Sequence, residues 1–250
     1  MPFVEVNGEN IHYIHHDAGS AVNLVLVHGS GGSHENWPES CLTIGCANVY
    51  LIDLPAHGLS GGKNREDVGE YVAVVEAFCT ALSLENVALG GHSLGGAIAQ
   101  ASALNNPPWL TRIVLVGTGC RLRVMPMVLE AIETNWEGAR EMMDQTVFGA
   151  NPDPKLVAME KERTKGLKPE LLLGDFRACD KFDICARLGE ITRPALILSG
   201  DDDKLTPLKY SQFLLKGIKD SQLVVIENAG HLMAMEQPDQ FCKALKDFLS

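Results

Sequence analysis

Along the chain, short continuous apolar runs alternate with stretches in which apolar residues recur every three or four positions. The runs at 24–27, 49–52, 87–89, 113–116, 195–198 and 223–226 are rich in Val, Leu and Ile. They are shorter than a core helix, so they read as strands covered on both faces, which is the mark of a parallel sheet. Ahead of them, residues 3–6 and 11–14 flank Asn7-Gly8, a pair that tolerates the positive φ angles of a two-residue hairpin turn. The pattern predicts an α/β fold: an opening antiparallel hairpin, then a mostly parallel central sheet flanked by helices.

Two helices are expected near the end. Tyr210, Phe213, Leu214 and Ile218 share a face after Pro207, and Phe241, Leu245, Phe248 and Leu249 do so after Pro238. Between 121 and 186 the strand rhythm stops. Amphipathic patterns at 128–136, 137–148, 154–164 and 169–176 replace it, separated by Gly138, Asn151-Pro152 and Gly166. The expected organisation is a core domain of residues 1–120 and 187–250 with a helical cap, 121–186, inserted into it.

The length, 250 residues, suits one such domain, and 46% hydrophobic with 21% charged residues suits a globule with a sizeable core. No apolar run nears the ~18 residues a membrane span needs, and the N-terminus shows no basic region followed by an apolar one. The expectation is a cytoplasmic protein with no membrane association. A net charge of −11 argues against nucleic acid as a partner, since a phosphate backbone needs a basic face. The seven cysteines are odd in number and contain no Cys-x-x-Cys pair, so buried thiols are expected rather than a disulfide framework. His12, His15 and His16 alternate with apolar neighbours and read as strand-surface residues, not metal ligands.

The chemistry enters at Gly91-His92-Ser93-Leu94-Gly95. The motif follows an apolar strand and precedes a small-residue helix, the setting of a nucleophile elbow that exposes a serine hydroxyl on a strained turn. Leu94 would offer its backbone N–H at the helix start to a developing oxyanion. A serine nucleophile also needs a base and an acid to orient that base. His231 follows the last predicted strand, and Asp201-Asp202-Asp203 follows the strand before it. The order Ser, Asp, His runs along the chain. His28-Gly29-Ser30-Gly31-Gly32, after an earlier strand, can supply the second oxyanion N–H.

These motifs, with Asp53-Leu54-Pro55-Ala56-His57-Gly58-Leu59-Ser60, resemble the α/β-hydrolase superfamily along essentially the whole chain, in its group of small esterase-like enzymes with a helical cap. The resemblance implies Ser93 as nucleophile, His231 as general base and then acid, Asp203 rather than Asp202 as its orienter, and the N–H groups of Ser30 and Leu94 as the oxyanion hole. Ala56 departs from the glycine usual at its position. His57 and His92 are expected to be structural, and His34, a few residues past the oxyanion loop, is a candidate substrate contact. No metal or organic cofactor is implied.

The leading reading is a carboxylic ester hydrolase acting on a small-molecule ester. The same triad could serve C–C hydrolysis, enol-lactone opening or peracid formation, and a non-enzymatic ligand receptor on this fold is a further alternative. His92 stands where C–C hydrolases of ring-cleavage products often have asparagine, and Ser30 where peracid-forming relatives commonly have an aromatic residue. Apart from Met1, the methionines sit in the cap (Met125, Met127, Met142, Met143, Met159) or beside the base (Met233, Met235). They either line an adaptable acyl pocket or serve as ordinary packing.

Overall fold

The computed structural model describes residues 2–250. Its eight strands are β1 (Phe3–Val6), β2 (Glu9–His16), β3 (Asn23–Val27), β4 (Asn48–Ile52), β5 (Val87–His92), β6 (Leu110–Val116), β7 (Ala195–Gly200) and β8 (Ser221–Ile226). They form one sheet in the order β1-β2-β4-β3-β5-β6-β7-β8. β1 and β2 pair antiparallel through a turn in which Asn7 and Gly8 take φ of 53° and 80°. β2 runs antiparallel to β4, and β3 to β8 are parallel.

The strands alternate their side chains between two cores. Val25, Val27, Leu89, Ile113, Leu115 and Ile197 pack with the helices α2 (Val68–Ala81) and α3 (Leu94–Asn105) on one face. Leu24, Leu26, Val49, Val114, Val116 and Leu198 pack on the other, beneath α10 (Pro238–Leu249) and the short α1 (Glu39–Leu42). On α10, Phe241, Leu245 and Leu249 are buried, each contributing about 1.5–3 kcal/mol. α8 (Leu208–Gly217) keeps half of its expected inner face: Leu214 and, at its end, Ile218 are buried, with Ser211 beside them, while Tyr210 and Phe213 are exposed.

Between β6 and β7 the chain inserts α4 (Pro126–Thr134), α5 (Trp136–Thr146), α6 (Pro154–Thr164) and α7 (Pro169–Lys181). Three of the four begin with Pro at the first turn, where its missing N–H costs nothing. A short α9 (Met233–Glu236) precedes α10. Among the described residues, no helix is long and apolar enough to cross a membrane.

The thiol expectation fails at one pair: Cys120, just past β6, and Cys185, past α7, form a disulfide. No short spacing signals it, because the partners lie 65 residues apart. The bond closes the base of the insertion, beside a hydrogen bond from Ile184 N to the Cys120 carbonyl at 2.9 Å. Closing a loop of that length restricts the unfolded chain by about 4 kcal/mol. Alkylation of the denatured, unreduced protein is therefore expected to label five cysteines, and Cys120→Ser to lower Tm by several degrees in a thermal melt. Seven labelled cysteines would show that the pair is reduced.

Candidate active site

Ser93 sits between β5 and α3 with φ 51° and ψ −110°, a region that costs a non-glycine residue about 1–3 kcal/mol. Two close backbone approaches hold it there. A Cβ at Gly91 would lie 2.0 Å from the Gly95 carbonyl carbon, and one at Gly95 would lie 2.2 Å from the Val27 carbonyl oxygen. Strand and helix can meet at this angle only where both side chains are absent.

His231 and Asp203 come from the loops after β8 and β7 and meet in a buried pair, Nδ1 to Oδ2 at 2.8 Å. The Asp203 carboxylate also accepts from Leu205 N (2.9 Å), Thr206 N (2.8 Å) and Thr206 Oγ1 (2.7 Å). Burial alone would raise its pKa. The His231 imidazole and these hydrogen bonds outweigh burial and hold the carboxyl well below the usual range. Asp202 instead lies 3.8 Å from Lys204, with its side chain 42% exposed.

Ser93 and His231 line one cavity of about 530 Å³, together with Gly29, Ser30 and the inserted helices. Leu94 is the first residue of α3, so its N–H has no acceptor within the helix. In the Gly29–Gly32 turn, Gly31 N–H donates to Asp175 (2.7 Å) and Gly32 N–H to the Gly29 carbonyl (3.0 Å). The Ser30 N–H finds no acceptor among the described residues.

The remaining histidines divide by environment. His92 lines the cavity beside His231, and its Nε2–H donates to the His231 carbonyl at 3.0 Å. Burial, then His231, pushes its pKa down to about 3, which leaves it a neutral packing residue. His57 is buried with both ring nitrogens facing acceptors, the Pro55 carbonyl and Asp175 (2.9 Å each). The two acceptors favour the charged, doubly protonated ring over the neutral one. Burial opposes that charge, but Asp175 outweighs it and raises the pKa.

His34 does not line the cavity; it pairs with Asp53 at 2.9 Å. His12 is not a surface residue either, being fully buried and 2.8 Å from Asp53. Binary patterning cannot separate a buried hydrogen-bonded pair from a solvated face. The ligand atoms of His12, His34 and Asp53 lie within 4.8 Å of one another. The Asp53 carboxylate, however, is already shared among the two rings and the N–H groups of His34 and Leu59, so the group reads as a hydrogen-bonded network. Ala56 takes φ 65°, which explains why glycine is usual there.

Of the methionines, Met125, Met142 and Met143 line the cavity. Met127 and Met159 point into solvent, and Met233 is fully buried in the core under α10. Asp175, which ties α7 to Gly31 of the cavity wall, is not legible in the sequence. Nothing in its local pattern distinguishes it from any polar residue of an amphipathic helix.

A parallel sheet with one antiparallel edge, a strained strand-to-helix serine and helices inserted after β6 define an α/β hydrolase. The chain belongs to that family: the profile of the Alpha/beta hydrolase family matches residues 24–244. A 2-hydroxy-6-oxononadienedioate/2-hydroxy-6-oxononatrienedioate hydrolase from Cupriavidus pinatubonensis is 30% identical, the match covering 99% of this chain and 94% of that one. A solved thermophilic esterase is 33% identical with a TM-score of 0.86, covering 99% of this chain and 96% of the other. The enol-lactonase from Burkholderia xenovorans shares the fold at a TM-score of 0.91 and 23% identity, covering 99% of both chains. The chain is a hydrolase with relatives named for a dienedioate and for esters.

Proposed function

We propose that this protein hydrolyses carboxylic esters of small to medium apolar acids through an acyl-Ser93 intermediate. In this reading His231 takes the Ser93 proton as the hydroxyl attacks the ester carbonyl, while Asp203 holds the ring in the tautomer that leaves Nε2 free. The oxyanion forms against the N–H groups of Ser30 and Leu94. His231 returns the proton to the departing alcohol, then activates the water that releases the acid. The inserted helices act as the cap over the acyl pocket.

The observation that carries the ester over an anionic substrate is the charge balance of the cavity wall. Each of its four cations already has a carboxylate beside it: Arg123 with Asp180 (3.8 Å), Arg140 with Glu137 (2.6 Å), Arg163 with Glu160 (2.6 Å) and Lys204 with Asp202 (3.8 Å). Asp144, 4.0 Å from Arg140, is a further carboxylate on the same wall. A dienedioate would bring two carboxylates with no free cation to receive them, and desolvating each without a partner costs several kcal/mol. Such a substrate also holds no ester, so its hydrolysis would break a C–C bond.

The test is a panel of p-nitrophenyl esters from acetate to octanoate, a thioester, a lactone and a 2-hydroxy-6-oxo-dienoate. We expect kcat/KM on the best short ester to reach on the order of 10⁴ M⁻¹s⁻¹ and to exceed that on the dienoate at least about 100-fold, roughly what one orphaned carboxylate would cost. The reverse ranking would replace the ester reading with C–C hydrolysis. Because Met142 lines the cavity, Met142→Phe is expected to shorten the preferred acyl chain, removing about 0.8 kcal/mol, roughly fourfold in kcat/KM, for each methylene excluded. An unchanged chain-length profile in the folded variant would place the acyl group elsewhere.

A further inference from the structure

Gly31, next to the proposed oxyanion donor Ser30, is clasped on both of its peptide groups by the inserted helices. Its N–H donates to Asp175 Oδ2 of α7 at 2.7 Å, and its carbonyl accepts from Arg163 Nη1 of α6 at 3.0 Å. Each clasping side chain is itself fixed. The Asp175 carboxylate, fully buried, accepts from Tyr71 Oη at 2.5 Å and His57 Nε2 at 2.9 Å. Arg163 is forked onto Glu160 at 2.6 and 2.9 Å. Gly31 takes φ +63°, and a Cβ there would come within 2.8 Å of Leu167 and 3.2 Å of Leu172, two more residues of the insertion. On the other side of Ser30, the core holds the Gly29 carbonyl with His28 Nδ1 (2.8 Å) and Gly32 N (3.0 Å). The peptide group carrying the Ser30 N–H is therefore held by the core through its own carbonyl, that of Gly29, while the peptide groups that follow it are held by the insertion through the Gly31 N–H and carbonyl.

We propose that Asp175 and Arg163 are positioning residues that make the oxyanion hole depend on the seating of the inserted helices. The hole is aligned when α6 and α7 are docked and loses its aim when they lift, so ester attack is confined to the closed, water-poor cavity. This rests on the serine-hydrolase reading above. Asp175 alone could simply pin α7 to the core. The joint hold of two helices on the two peptide groups of one residue, next to the donor, is what a purely structural anchor does not require.

The test compares Asp175→Asn, and Arg163→Met combined with Glu160→Gln so that no charge is orphaned, with Ser93→Ala as the control. Two quantities are measured: turnover of p-nitrophenyl butyrate, and affinity for a short alkyl trifluoromethyl ketone, whose adduct carries the oxyanion. Active sites are counted by phosphonate titration. We expect Asp175→Asn to lower kcat on the order of 100-fold and the double variant on the order of 10-fold, with KM within about threefold and ketone affinity falling in step with kcat, the size of effect a misaimed donor produces. A merely structural role would lower Tm or the active fraction but leave ketone affinity per active site unchanged, and that result overturns the proposal. Should Asp175→Asn fail to fold, the double variant, whose arginine is partly exposed, decides by the same criterion. Retained turnover in Ser93→Ala would instead sink the serine-hydrolase reading itself.

Discussion

Replacing Ser93 by alanine is expected to lower kcat on a short p-nitrophenyl ester by up to about six orders of magnitude, the loss associated with removing a serine nucleophile. What makes the prediction specific is that activity and stability should part company at this residue. Ser93 holds φ 51° and ψ −110°, and alanine keeps that backbone cost, so Tm should stay within about a degree of the parent. Glycine removes the cost, on the order of 1–3 kcal/mol, so Ser93→Gly should be equally inactive yet melt several degrees higher. A fluorophosphonate should add its mass to the parent protein at Ser93 and leave both variants unlabelled. Turnover within about 100-fold of the parent in either variant would remove Ser93 from the mechanism.

The sheet was readable because strands covered on both faces leave unbroken apolar runs, as 24–27 and 113–116 do. Asn7-Gly8 marked the hairpin through the positive φ both residues adopt. The four inserted helices were readable from amphipathic spacing and their prolines. What escaped the sequence lies where two distant segments decide one side chain's surroundings. Tyr210 and Phe213 have the spacing of a core face, yet one lines the cavity and the other faces solvent, because periodicity reports an apolar stripe and not what covers it. His12 belongs to a polar-looking alternation, but Asp53, 41 residues away, makes it a buried partner. Asp175 reaches Gly31 across 144 residues, and Cys120 reaches Cys185 across 65. At the site, the motifs marked strand ends, whereas the 2.8 Å contact between His231 and Asp203 is a property of how β7 and β8 lie side by side.

That side-by-side arrangement also determines what Asp203→Asn should do. Oδ1 of Asp203 accepts two backbone N–H groups, from Leu205 and Thr206, while Oδ2 faces His231 Nδ1 and Thr206 Oγ1. An asparagine must keep its oxygen on the two backbone donors, because turning its NH₂ toward them would leave three donors clashing in a buried place. The NH₂ then points at His231 Nδ1 and makes that nitrogen an acceptor. The ring proton is driven to Nε2, the atom required to take the proton from Ser93. We expect kcat to fall on the order of 10⁴-fold from this tautomer change with the fold intact, and the histidine ¹⁵N spectrum to show the proton moved from Nδ1 to Nε2. Asp202, beside Lys204 and 42% exposed at its side chain, has no such hold on the ring, so Asp202→Asn should stay within about twofold, as surface ion pairs contribute little. If Asp202→Asn proves the damaging change and Asp203→Asn the mild one, the orienting role belongs one residue upstream and the 2.8 Å pair is a structural contact.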